Sequence, residues 1–253
     1  MTKLLNSLIL VLMIGLPGMV TAQSFDMKNM TAEEREAFQA EIRAFLLENP
    51  EVIVEAIEVL EQRRDEATAA ADRELVARHA SALFDDGYSF ETGNPDGDVT
   101  IVEFLDYRCG FCKRAHPVIE EILERDPNLK LIVKEFPILG PNSVNAGKMA
   151  LAALDIDRDR YKELNDVLMT FQGDLTENIA YQLASEVGYD IAALKERADS
   201  IEVDDRISQN YQLAQALGVQ GTPAFVVGQR IIRGFLPADE MMTVIEEARS
   251  AVN

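Results

Sequence analysis

The stretch Val99–Lys113, V-T-I-V-E-F-L-D-Y-R-C-G-F-C-K, decides the reading of this chain. It runs from an apolar strand pattern, Val99 to Leu105, into a pair of cysteines, Cys109 and Cys112, that opens a helix-patterned segment. Two intervening residues let both sulfurs meet across the first turn of a helix and close a small, easily opened disulfide. At the start of that helix Cys109 faces unpaired backbone N–H groups and the positive end of the helix dipole, which favour thiolate over thiol. Arg108, Lys113 and Arg114 are expected to push the same way. Cys112, one turn deeper, is the expected resolving thiol and Cys109 the attacking nucleophile. Far downstream, Gly221, Thr222 and Pro223 open another apolar strand pattern.

The same cysteine spacing serves metal sites, haem attachment and copper carriers. Haem attachment requires histidine after the second cysteine, where this chain has Lys113. A structural zinc site wants four ligands, and the chain holds two cysteines and two histidines, His79 and His116, with His79 in a separate polar segment. Cu(I), which soft thiolates hold with few ligands, is the metal alternative. An inert disulfide would close too small a loop to stabilise much. The reading carries no cofactor and no metal.

The start of the chain sets the expected compartment. Lys3, the apolar run Leu4 to Leu16, and Val20-Thr21-Ala22 read as a secretory leader over residues 1–22, cleaved before Gln23. The run is shorter than the ~20 residues of a spanning helix, so export without membrane insertion is expected. A net charge of −20 argues against nucleic acid and against anionic membrane surfaces as partners.

Residues 23–92 read as an N-terminal helical segment. Thr31 and Glu34 form a capping box ahead of Phe38, Ile42, Phe45 and Leu46 at helical spacing. Asn49 and Pro50 are expected to start a second helix with Asn49 as its N-cap. That helix opens with Val52, Ile53, Ile57 and Leu60, then turns polar from Glu61 to Glu74, as in a solvent-bridging connector. A heptad continued from Ile53, Ile57 and Leu60 lands on Arg64, Glu74 and Arg78, which disfavours a long coiled coil. The apolar stripes within 31–60 call for a partner, and a homo-oligomer through these residues is expected. The turn-rich run Gly93 to Gly97 marks the boundary of a catalytic domain over 93–253.

Past that boundary the spacing predicts a strand over Val99 to Leu105, a helix from Cys109 to about Arg125, and a parallel strand over Leu129 to Phe136. Residues from about 141 to 217 are helix-patterned and read as an insertion. The chain returns with Ala224 to Val227, a Gly228-Gln229 turn, Arg230 to Arg233, and a last helix over about Pro237 to Ala251.

This order, with C-G-F-C at the first helix and G-T-P before the third strand, resembles a thioredoxin fold, and its helical insertion resembles the DsbA family. The N-terminal segment, with L-E-N-P-E-V-I at Leu47 to Ile53, is similar to the branch containing the suppressor-of-copper-sensitivity protein C (ScsC). The fold class is therefore α/β, thioredoxin-like with an inserted helical domain and an N-terminal helical extension. The resemblance implies that Pro223 is a cis-proline facing the dithiol and that Thr222 offers backbone hydrogen bonds to a bound peptide. It also implies that Glu103 is the buried acid beneath the site, a proton relay to Cys112, and Lys134 on the neighbouring strand is its candidate partner. A carboxylate among Ile101, Val102, Phe104 and Leu105 is expensive without such a role, the alternative being a solvent-facing sheet edge. His116 reads as a helix-surface residue beside Pro117.

Strong oxidants of the family place a histidine between the cysteines, whereas Gly110-Phe111 and Thr222 resemble disulfide isomerases. The expectation is a periplasmic thiol-disulfide interchange enzyme leaning to isomerase or reductase. It acts on unfolded or misoxidised exported proteins and is kept reduced by a membrane redox partner. The rivals are a monomeric DsbA-type oxidase and a Cu(I)-binding protein using the same cysteines.

Overall fold

In the computed structural model of the chain, residues 28–252 are described; the leader expected over residues 1–22 lies outside them. The chain divides into two compact units between Glu61 and Gln62.

The first unit holds helix α1 (Ala32–Glu48) and the opening of α2 (Glu51–Arg78). The capping box forms: the Glu34 N–H donates to Thr31 Oγ1 at 3.2 Å and the Thr31 N–H to the Glu34 carboxylate at 2.9 Å. Asn49 does not cap α2 as expected. Its backbone N–H and its side-chain amide both donate to the Phe45 carbonyl, at 2.8 and 2.9 Å, so it closes α1 and α2 begins at Glu51. No residue of α1 is buried, and Phe45, Leu47, Val54 and Ile57 are all about half exposed or more.

The second unit is built on a five-stranded sheet of β1 (Phe90–Gly93), β2 (Val99–Leu105), β3 (Leu129–Glu135), β4 (Ala224–Val227) and β5 (Arg230–Arg233), in the order β1-β3-β2-β4-β5. Strands β2 and β3 are parallel and every other pairing is antiparallel. A parallel pair needs a crossover, supplied by α4 (Gly110–Arg125). Five helices then intervene before β4: α5 (Pro141–Ile156), α6 (Arg158–Thr170), α7 (Glu177–Val187), α8 (Ile191–Ala198) and α9 (Ile201–Ala216). After β5 the chain ends in α10 (Ala238–Val252). This is the thioredoxin-like α/β fold with its helical insertion.

Strand alternation divides the core between two faces. On one, Ile101, Leu105, Leu131, Val133 and Phe225 pack with α4, α10 and most of the insertion. On the other, Val102, Phe104, Ile132 and Val226 pack with Val76 and Leu83 and with Leu213 and Leu217 at the end of α9. Helix α3 (Ala80–Phe84) carries Leu83 into this second cluster.

The domain start expected at residue 93 is thus too late. Strand β1, which the sequence reading placed in the N-terminal segment, pairs with β3 through residues 90–93. The polar stretch of α2, Glu61 to Glu74, is not a free connector either, because Asp72 within it is buried. The Asp72 carboxylate accepts from the Ile231 N–H at 3.3 Å and from Arg233 Nη2 at 2.9 Å, while Arg233 also donates to the Leu217 and Gly218 carbonyls. Gly97 permits the approach of the β1–β2 turn to β3: a Cβ there would lie 2.6 Å from the Asn128 carbonyl oxygen. Replacing Asp72 with alanine leaves the buried Ile231 N–H unpaired, and a loss of about 2 kcal/mol is expected in urea denaturation. A loss below about 0.5 kcal/mol would show that water replaces the carboxylate.

Candidate active site

Cys109 is the N-cap of α4, with φ −77° and ψ 115°, and Cys112 sits inside the first turn. The two are free thiols, Cys109 7% exposed and Cys112 fully enclosed. The Cys109 S–H donates to the Thr222 carbonyl at 3.1 Å, and the Thr222–Pro223 peptide is cis, as the resemblance implied. Cys109, Cys112, Thr222 and Pro223 are therefore gathered at the C-terminal end of β2, where open α/β sheets place their chemistry.

The two sulfurs have opposite acidities. Cys109 is lowered to about 5, first by the Cys112 S–H that donates to its thiolate, then, against the cost of burial, by Thr222 and the N–H groups of Cys112 and Phe111. The Thr222 hydroxyl is buried and has no hydrogen-bond partner among the described residues. Cys112 is pushed far up by the same hydrogen bond, by burial and by the charge of Glu103. The cations expected to acidify Cys109 are engaged elsewhere. Arg108 donates to Asp174 at 2.7 Å, Lys113 to the Phe171 carbonyl, and Arg114 lies over the Phe111 ring at 3.9 Å. The acidity comes from hydrogen bonds and the helix end rather than from side-chain charge.

Glu103 is buried in the central strand and does not lie at a sheet edge. Burial raises it to about 7, against a downward pull from His116 and with an upward push from Glu120. Its expected partner Lys134 is on the other face, because the register sets Glu103 against Val133 and Phe104 against Lys134. Lys134 is fully buried there, donating to the Asp86 carboxylate and to the Ala82 carbonyl at 2.8 Å. Spacing along one strand cannot show which face a neighbouring strand's side chain takes; the register decides it.

Two buried acids escaped the sequence reading. Glu135 lies on the dithiol face and accepts from Tyr107 and Tyr161 at 2.7 and 2.6 Å, while burial lifts it to about 8 against those hydrogen bonds. Asp106, three residues before Cys109, is 1% exposed. The available signal was a carboxylate at or just past the end of each parallel strand, Asp106 between Leu105 and Tyr107 and Glu135 before Phe136. His116 is half-buried, with Nε2 3.2 Å from Asp166. Its donor atom lies within 4.8 Å of those of Glu120 and Asp166, a set that could ligate a metal, but Lys162 Nζ already donates to both carboxylates at 2.9 Å. A divalent cation would have to displace that ammonium.

Residues 100–247 match the family model of the DSBA-like thioredoxin domain, and residues 34–67 match that of the copper resistance protein ScsC N-terminal domain. The crystal structure of a thioredoxin-like oxidoreductase from Silicibacter pomeroyi DSS-3 is 38% identical, covering 67% of this chain and 97% of that one with a TM-score of 0.65. The thiol:disulfide interchange protein DsbA of Bordetella parapertussis is 29% identical over 141 residues, 53% of this chain and 65% of that protein. The chain spans about a quarter of another curated relative, the Na(+)/H(+) antiporter NhaA 1 of Mycolicibacterium gilvum, with 29% identity over 162 residues, 62% of this chain and 26% of that protein. No helix among the described residues is long and apolar enough to cross a membrane.

Proposed function

Because this chain belongs to the family of DSBA-like thioredoxin domains, we propose that its thiol-disulfide oxidoreductase chemistry is that of a disulfide isomerase or reductase of exported proteins. The observation that carries the reading is the placement of Cys109 at the α4 N-cap with its sulfur at the carbonyl of the cis Thr222–Pro223 peptide, with Cys112 enclosed behind it. The Cys109 thiolate attacks one sulfur of a substrate disulfide, forming a mixed disulfide and expelling a substrate thiolate. From there a second substrate thiolate attacks the substrate sulfur, re-pairing the substrate and restoring Cys109. Alternatively Cys112 loses its proton and attacks Cys109, which oxidises the protein and reduces the substrate. A thiolate stabilised by its surroundings is a good leaving group, so attack on the substrate sulfur readily expels Cys109, whereas attack by Cys112 expels the substrate thiolate.

The half-exposed Phe111 beside the sulfurs, and Leu139 in the loop after β3, offer apolar contact to unfolded chains. Membership of residues 34–67 in the ScsC N-terminal family and the exposed apolar side chains of α1 and early α2 support self-association through residues 31–60. The leader-like start supports a periplasmic location and a membrane reductant as redox partner.

The test is reactivation of a scrambled multi-disulfide protein by the reduced full chain, alongside the chain carrying Ile57→Glu. Recovery by the parent and a weaker recovery by the variant, with a fall in solution mass to one chain, are expected. Rapid oxidation of a reduced substrate without recovery of scrambled material would instead make the protein a DsbA-type oxidase. Stoichiometric Cu(I) binding without exchange would make it a copper carrier.

A further inference from the structure

Asp106 stands out among the buried acids because its carboxylate is filled. Oδ1 accepts from the Arg108 N–H at 2.8 Å and the Ser143 hydroxyl at 2.9 Å; Oδ2 accepts from the N–H groups of Ile138 and Leu139 at 2.9 and 3.0 Å. Its carbonyl accepts the Cys109 N–H at 3.0 Å. The four donors to this side chain, three backbone N–H groups and one hydroxyl, come from three segments: the β2–α4 turn, the loop after β3, and the first turn of α5. All four are uncharged, and among the described residues no ion pair reaches Asp106. The charge is held by geometry, with each lone-pair direction assigned a donor. A second brace joins the same parts, since Arg108 Nη1 donates to the Leu139 carbonyl at 3.3 Å.

We propose that Asp106 is a positioning residue of the exchange reaction, tying the β2–α4 turn to the loop after β3 so that Cys109 stands at the α4 N-cap with its sulfur at Thr222. The inference rests on the thiol-disulfide reading of the site. Among the described residues the leading donors to the Cys109 thiolate are uncharged, so the sulfur is acidic only while the turn holds it against the Cys112 S–H, the N–H groups at the helix start and Thr222. A small rotation of the turn weakens several of these contacts together, because hydrogen bonds fall off steeply with distance and angle. The brace also fixes Leu139, an exposed apolar side chain, relative to the dithiol turn.

The sign of one measurable effect separates positioning from the alternatives. A buried anion near the dithiol opposes a thiolate, so loss of its charge alone makes Cys109 more acidic. Loss of the brace makes it less acidic. A purely structural role changes stability and leaves the reactivity of folded protein as it was. In Asp106→Asn the amide nitrogen is set against N–H or O–H donors, and at least two of the four bonds are lost.

The experiment is the rate of iodoacetamide alkylation of Cys109 at pH 5 in the reduced full chain, with circular dichroism confirming the fold. For Asp106→Asn the rate is expected to fall about fivefold, the consequence of a pKa rise of about one from a midpoint near the assay pH. Ser143→Ala, which keeps the carboxylate and removes one donor, is expected to slow it about twofold. An unchanged or faster rate in folded Asp106→Asn overturns the proposal, and an unchanged rate in Ser143→Ala does so if the first variant fails to fold. Alkylation needs no disulfide substrate. A parent chain that alkylates rapidly yet exchanges no disulfides therefore refutes the functional reading separately.

Discussion

Cys109→Ser is expected to lose disulfide exchange by at least about a thousandfold, whereas Cys112→Ser keeps the first attack and accumulates mixed disulfides. The asymmetry follows from the surroundings of the two sulfurs. At neutral pH Cys109, with a midpoint near 5, is almost wholly thiolate. Serine in the same place cannot ionise, and no nearby base is positioned to activate it: Glu103 lies beneath Cys112, and the cations of the turn are bound elsewhere. Cys112, enclosed and far from ionising, acts only after the first bond has formed. Its loss has a second effect, since its S–H is the leading stabiliser of the Cys109 thiolate. In Cys112→Ala, which unlike serine leaves no hydroxyl to donate, the Cys109 midpoint is therefore expected to rise from about 5, read as the thiolate absorbance near 240 nm against pH. Reduction of insulin disulfides, with mixed disulfides resolved on non-reducing gels, checks the first pair of outcomes. Exchange retained in Cys109→Ser and lost in Cys112→Ser would reverse the assignment of roles.

The dithiol, the strand before it and the order of the catalytic elements were legible because their signals are local. Val99 to Leu105 is a strand with the boundaries the apolar run predicts, and Cys109 caps its helix as the spacing requires. What escaped depends on contacts distant in the chain. Strand β1 has only four residues and its apolar content is a single Phe90; it exists because β3 offers a free edge to residues 90–93. The tie from α2 to the sheet runs through Asp72, 161 residues from Arg233 and indistinguishable in sequence from the charges around it. The misjudged effect of Arg108 and Lys113 has the same origin. Their charge was read from adjacency to the cysteines, but their direction is set by Asp174 and the Phe171 carbonyl on the insertion. Sequence shows that a charge is nearby, and only the fold shows what it faces.

That distinction bears most on Glu103, where the face it takes predicts both a stability cost and a proton path. With Lys134 turned to the opposite side, the carboxyl has no counter-ion among its sheet neighbours, and burial raises it to about 7 from an ordinary 4.5. The folded state therefore holds a proton more firmly than the unfolded chain. Stability from this group is fully present below about pH 4.5 and is lost as the pH rises through 7, a change of about 3 kcal/mol. Glu103→Gln has no proton to lose, so its unfolding free energy is expected to stay flatter between pH 5 and pH 8 and to exceed that of the parent at pH 8. Glu135, raised to about 8, adds a dependence of the same sign, which is reduced in the variant because the Glu103 charge is one of the causes that raise it. Urea denaturation at the two pH values provides the check; a parent and variant whose difference does not change with pH would show that Glu103 titrates normally. The same group, poised near neutrality beside a thiol that cannot ionise alone, is suited to accept the Cys112 proton as Cys112 attacks the mixed disulfide. Glu103→Gln is accordingly expected to slow release of the mixed disulfide about a hundredfold while leaving its formation by Cys109 nearly unchanged. Stability gained and turnover lost in one variant would mark a carboxylate kept for its chemistry at a cost to the fold, whereas equal slowing of both steps would refute the relay.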